Sequence, residues 1–185
     1  LGLGVGAIPH LLQRLFPNLE ITAVDINDTV VEAARQWFGL GSLPSLSSVV
    51  MCAAEYVRSY AGPEYDLIYV DCYDAVGIPK PCQSMQFVSN VAELVSNQGA
   101  VVVNLLPKRG GVSEVYDNWR SILGHGWVLP GRRKSNLTLV IPKQEAVGIR
   151  RALWHVRRLD RVALPLDLER PLMSALRTER FRGSL

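Results

Sequence analysis

Three apolar runs rich in β-branched residues recur along the chain: "LEITAVDI" at 19–26, "YDLIYVD" at 65–71 and "GAVVVNLL" at 99–106. A strand with one wet face alternates polar and apolar residues, so runs this apolar fit strands covered on both faces. Segments of helical spacing stand between them, at 8–16, 28–37, 53–60 and 84–95. In the second, Val30, Val31, Ala34 and Trp37 fall on one helical face, and Asp28 with Thr29 offers an N-cap. Repeated strand, helix, strand implies right-handed crossovers and a parallel sheet. The expected class is therefore α/β, doubly wound and Rossmann-like, with a mostly parallel sheet.

The pattern changes twice further along. After a helix at 112–123, "WVLPG" and "NLTLVIPK" read as two strands, antiparallel at the sheet edge, with the turn at 131–134. From residue 144 an Arg-rich helical pattern carries Ile149, Leu153, Val156 and Leu159 on one face, and one more short helix is expected at 171–180. The organisation is thus a domain over 1–143 and a basic helical extension over 144–185.

At 185 residues and 48% hydrophobic content the chain can bury one ordinary core. No apolar run reaches the ~20 residues of a membrane helix, and the opening lacks a secretory pattern. A soluble, intracellular protein, cytoplasmic by default, is expected. Residue 1 is Leu, which reads as a chain whose first strand is largely missing. Cys52, Cys72 and Cys82 form no CxxC pair and no metal-ligand spacing, so they are expected to be reduced and structural. Charge is uneven: residues 1–107 hold 4 Lys/Arg against 10 Asp/Glu, and residues 108–185 hold 16 against 7. The basic half is either a docking surface for RNA or an acidic partner, or a solvated face.

The chain opens on "LGLGVGAIPH". In a sheet of this kind ligands bind beyond the carboxyl ends of the strands, and a glycine turn into the first helix lets a ligand approach the backbone and the helix N–H groups. Gly2, Gly4 and Gly6 occupy that turn, with Leu1 the remnant of the first strand. Asp25 ends the next strand, where a carboxylate can accept hydrogen bonds from a ribose. Together they point to a nucleoside-containing cofactor. Gly4, Val5 and Gly6 run on into Ala7, Ile8 and Pro9, so the last glycine of a G-x-G-x-x-G dinucleotide motif is absent.

The stretch "LGLGVGAIPHLLQRLFPNLEITAVDINDTVVEAARQWFG", followed by "YDLIYVDCYDA", resembles the spermidine-synthase-like branch of class I S-adenosylmethionine-dependent methyltransferases. The resemblance covers roughly residues 1–142 and is most specific in "GLGVGAIP" and "ARQWFG". It implies a seven-stranded sheet that binds S-adenosylmethionine or its decarboxylated form. Position by position, it places Gly4 and Gly6 along the methionine side of the cofactor, Asp25 at the ribose and Ile26 beside the adenine. The same branch includes aminopropyltransferases and protein methyltransferases acting on translation elongation factor.

Two positions depart from the branch. Spermidine synthases carry an Asp in the glycine loop, where this chain has Ala7, which counts against polyamine synthesis. After the third strand they read "DG", the Asp holding the adenine amino group; here Cys52 and Ala53 stand at those adenine-site positions.

"DCYD" is the candidate for chemistry. Asp71 ends a strand and Asp74 lies three residues on, so both can face the reacting carbon. A carboxylate against an apolar wall can act as a general base. In the branch this sequence resembles, the matching DxxD pair orients and deprotonates the attacking amine. Tyr73 would stack on or steer the substrate. The plainer alternative has Asp71 capping a helix or bonding the glycine loop, and Asp74 serving its turn. Asn104 either faces a substrate amine or satisfies the adjoining loop. His10, His125 and His155 are not expected to be catalytic, and Trp37, Trp119, Trp127 and Trp154 are expected to pack.

The favoured function is S-adenosylmethionine-dependent methyl transfer to a nitrogen nucleophile on a protein or other macromolecule. The alternatives are an inactive methyltransferase-like scaffold in a larger, ribonucleoprotein-type assembly and, third, an aminopropyltransferase. Expected partners are the methyl acceptor, an acidic or RNA partner for the stripe Arg150, Arg151, Arg157, Arg158 and Arg161, and a second copy of the chain.

Overall fold

The computed structural model describes residues 1–107, 112–131, 136–144 and 180–182. Its elements follow in the order α1 (Ala7–Leu15), β1 (Ile21–Asp25), α2 (Asp28–Trp37), a 3-10 turn (Leu40–Ser42), β2 (Leu46–Val50), α3 (Ala53–Ser59), β3 (Tyr65–Val70), α4 (Lys80–Gln83), α5 (Met85–Leu94), β4 (Val95–Leu105), α6 (Val112–Leu123), β5 (His125–Pro130), β6 (Leu137–Pro142) and β7 (Arg180–Arg182). β1 and β2 pair in parallel, as do β3 and β4, while β6 runs antiparallel between β4 and β5. The expected α/β class with an antiparallel edge is what the chain adopts.

Two ladders, β1–β2 and β3–β4–β6–β5–β7, are joined by the first two residues of the chain. The Leu1 ammonium donates to the Tyr69 carbonyl (2.7 Å), the Asp71 N–H donates to the Leu1 carbonyl (2.8 Å), and the Gly2 N–H donates to the Val24 carbonyl (2.8 Å). Leu1 and Gly2 therefore act as strand between β1 and β3, and the spatial order is β2, β1, residues 1–2, β3, β4, β6, β5, β7. On the far side of Leu1 the gap between the strands continues as a cavity of ≈ 520 Å³ bounded by Ile21, Ala23, Tyr65, Leu67 and Tyr69.

Helices bury one face of β3 and β4, while Leu67 on the opposite face of β3 is 38% exposed. Val101, Val103 and Leu105 of β4, with Ile68 and Val70 of β3, pack under α3, α5 and α6, where Trp119 is wholly buried and meets Phe87 edge-on (6.5 Å, 84°). Leu3, Ala23, Val31, Ala34 and Leu40 form a second cluster beneath α2.

Several expectations change. The strand expected at 99–106 is longer, beginning at Val95, and α4 was not foreseen: its four residues are too few for a periodic signal. Asn27, not Asp28, caps α2, its side chain accepting from Thr29 and Val30 N–H, because Asp28 is already helical. Trp37 does not pack in the core; it is 78% exposed at the end of α2. Arg180, expected at the end of a helix, lies in β7. The rest of the helices expected in 144–185, with His155, Trp154 and the Arg150–Arg161 stripe, lies outside the described residues, and with it the test of the domain boundary at 143.

Candidate cofactor and substrate site

The carboxyl ends of β1, β2 and β3 carry most of the predicted residues to one edge of the sheet. Gly2, Gly4 and Gly6 all have positive φ (81°, 54° and 83°), the left-handed region where glycine carries no steric penalty. The loop closes on itself through Gly6 N–H to the Leu3 carbonyl (3.1 Å) and leads into α1, whose N-cap Gly6 supplies no side-chain cap and whose first turn holds no acidic residue. The first-turn N–H groups thus add to the positive end of the helix dipole. A side chain on Gly2 would collide with the Asp71 backbone and one on Gly6 with Leu40, whereas one at Gly4 would meet nothing within 4 Å. Gly4 therefore borders open space.

Asp25 is fixed by the backbone on either side. Its Oδ2 accepts from Leu3 N–H (2.9 Å) and its Oδ1 from Asn27 N–H (3.0 Å). Each oxygen keeps a second acceptor direction. Beside it Ile26 is 71% exposed, and Val50 at the end of β2 and Val5 in the loop are about half exposed. Apolar side chains bared at strand ends around a carboxylate make a surface suited to a flat, apolar-faced group. Cys52 stands half-buried at the N-cap of α3 without a side-chain cap, and Ala53 is buried against the core, so its side chain does not reach the crevice.

Asp71 is held from the neighbouring strand. Its Oδ1 accepts from the Asn104 side-chain amide (2.9 Å), and Asn104 Oδ1 in turn accepts from the Asn136 amide (3.2 Å). Tyr73, expected from sequence to stack on or steer a substrate, has its hydroxyl engaged at the end of β4. That hydroxyl donates to the Asn104 carbonyl (3.1 Å) and accepts from Leu106 N–H (2.7 Å), and burial pushes the phenol above its ordinary range, so it stays protonated and donating. Asp74 turns into its own loop: Oδ1 accepts from Val76 and Gly77 N–H, both at 2.8 Å. His10 bonds the Phe38 carbonyl (2.8 Å). The three cysteines are free thiols. The Cys72 thiol is pulled down by the hydrogen bond that Cys82 gives it, which pushes Cys82 up.

The Asn104–Asn136 contact had no sequence signal. Asn104 was visible after "VVV", but Asn136 reaches it only because β6 pairs antiparallel with β4, with Asn104 opposite Thr138 and Asn136 two residues further along the same face.

No protein-family model matches the chain. Among curated proteins it is 32% identical over 114 residues to the mouse eEF1A lysine and N-terminal methyltransferase, covering 57% of this chain and 16% of that protein. It is 24% identical over 159 residues to a polyamine aminopropyltransferase of Vibrio vulnificus, covering 80% of this chain and 52% of the relative. The chain thus spans about half, or much less, of the length of these relatives. Among solved structures, human Methyltransferase-like protein 13 in complex with SAH superposes with a TM-score of 0.74 at 23% identity, covering 86% of this chain and 78% of that one. The fold is that of a class I, Rossmann-like methyltransferase. Within that class the chain is similar to both kinds of enzyme in the spermidine-synthase-like branch, methyltransferases and aminopropyltransferases, as its opening residues led us to expect. Among the described residues no helix is long and apolar enough to cross a membrane.

Proposed function

We propose that the chain is an S-adenosylmethionine-dependent methyltransferase acting on a nitrogen nucleophile of a protein. The observation that carries this reading is the shared edge formed by the glycine loop, Asp25 and Asp71. Two relatives, from mouse and human, 32% and 30% identical, are named as eEF1A lysine and N-terminal methyltransferases, which supports the choice of acceptor.

The residues present fit the cofactor. Gly4 borders open space, and the first turn of α1 holds no acidic residue, so its N–H groups suit the methionyl carboxylate. Asp25 would accept from the ribose hydroxyls, and Ile26 and Val50 would flank the adenine. At the positions of Cys52 and Ala53 the chain supplies no carboxylate for the adenine amino group, so apolar contact is left to hold the base. When bound, the cofactor supplies a methyl group already activated by its sulfonium. The protein then orients the amine and takes its proton, and Asp71 is the acceptor for that proton.

The same loop discriminates against aminopropyl transfer. Decarboxylated S-adenosylmethionine keeps the amine and lacks the carboxylate, so it forfeits the attraction of that carboxylate to the positive end of α1, and Ala7 in the first turn offers its amine no acidic partner. Incubation with methyl-labelled S-adenosylmethionine and protein acceptors should transfer label. Decarboxylated S-adenosylmethionine with putrescine should give no spermidine. Spermidine formation without protein methylation would overturn the assignment.

A further inference from the structure

The Asp71 carboxylate is tied to two side-chain amides, Asn104 and, just before β6, Asn136. We infer that Asn104 and Asn136 are a two-amide positioning relay, set by Gly131, that aims Asp71 at the reacting site. The inference deepens the functional reading above and rests on Asp71 being the proton acceptor.

An asparagine amide has a donating and an accepting end, and only one orientation serves a carboxylate. Asn136 decides which. Its Nδ2 donates to Asn104 Oδ1, so the Asn104 Nδ2 must face Asp71, where it donates to Oδ1. Without Asn136 the Asn104 amide can rotate and present its oxygen to the carboxylate, replacing attraction by repulsion. Asn136 is placed by Gly131. The Gly131 N–H donates to the Asn136 carbonyl (2.9 Å), and a Cβ on Gly131 would overlap the Asn136 side-chain oxygen. The glycine is required there for close approach, since its φ is not in the left-handed region.

The second anchor lies two residues on. Tyr73 bridges the Asn104 carbonyl and Leu106 N–H, so residues 71 and 73 are both pinned to the carboxyl end of β4 and the residue after it. With Oδ1 held by Asn104, no hydrogen bond to a described residue occupies Asp71 Oδ2, which is the oxygen left to take a proton. Asn104 and Asn136 touch neither acceptor nor cofactor in this scheme; they act through Asp71.

The test compares Asn104→Leu, Asn136→Leu and Gly131→Ala in wild-type and Asp71→Asn backgrounds. Leu removes the amide at nearly constant volume. In the wild-type background each variant should lower kcat, Asn104→Leu by on the order of tenfold, as for loss of one hydrogen bond to a charged group, with KM changed less than about twofold. In the Asp71→Asn background the same substitutions should have no further effect on kcat. The side-chain amide resonances of Asn104, followed by NMR without cofactor or acceptor, should shift in Asn136→Leu, Gly131→Ala and Asp71→Asn. Full additivity of the kcat losses, or Asn104 resonances insensitive to all three substitutions, would overturn the relay. Because the NMR arm needs no turnover, an inactive chain would refute the functional reading while the relay is still tested.

Discussion

Asp71→Asn should cut methyl transfer by on the order of 10³-fold while leaving S-adenosylmethionine affinity within about twofold, a loss within the range of general-base catalysis. The substitution keeps the side-chain shape and can still accept from the Asn104 amide through its oxygen. It removes the charge that takes the amine proton. Single-turnover rates against binding titrations separate the two effects, and a variant that lost affinity and kept its rate would move Asp71 from proton transfer to cofactor binding. Asp74, three residues on, has its Oδ1 committed to two backbone N–H groups of its own turn.

Gly2→Ala should be the most damaging change to the architecture. Gly2 lies at φ +81°, and a Cβ there would sit 2.7 Å from the Asp71 carbonyl carbon and closer to its oxygen, a clash with backbone that no side-chain movement relieves. Left-handed strain and overpacking together set the expected loss at about 2–4 kcal/mol, read as a shift in the urea midpoint. The strand-like stub of Leu1 and Gly2 also joins β1 to β3, so the same substitution should disturb Asp71 and Asp25 together. Gly4→Ala provides the contrast. Its φ of +54° carries a penalty of about 1 kcal/mol, yet the added methyl meets no protein atom within 4 Å. Stability should change little there, and cofactor affinity should fall because the methyl enters the space over the loop. Equal stability losses in the two variants would contradict the close packing of Gly2 on Asp71.

What could be read from sequence follows the range of the interactions. "LEITAVDI" and "YDLIYVD" announced the parallel strands because a β-branched apolar run is a local property, but not how they are covered, since Leu67 on one face of β3 is 38% exposed. The glycine loop and Asp25 were legible because β1 returns Asp25 beside the loop within one strand–helix–strand unit, and Leu3 N–H to Asp25 Oδ2 is the bond that results. Asp71 was legible for the same reason, by its place at a strand end. The relay behind it was not. Asn136 meets Asn104 across an antiparallel register that depends on where β6 pairs, and Tyr73 turned to the end of β4 because a buried hydroxyl needs partners that only the folded sheet supplies. Trp37 was misplaced because helical spacing identifies a face without saying whether anything covers it.

The central claim is that the crevice at the ends of β1–β3 holds S-adenosylmethionine, and calorimetric titration of S-adenosylmethionine and its demethylated product into the folded protein tests it most directly. Micromolar binding of both is expected, weakened at least about tenfold by Asp25→Ala, whose lost carboxylate would otherwise accept from the ribose. No heat of binding in a sample that melts cooperatively, or affinity untouched by Asp25→Ala, would contradict it.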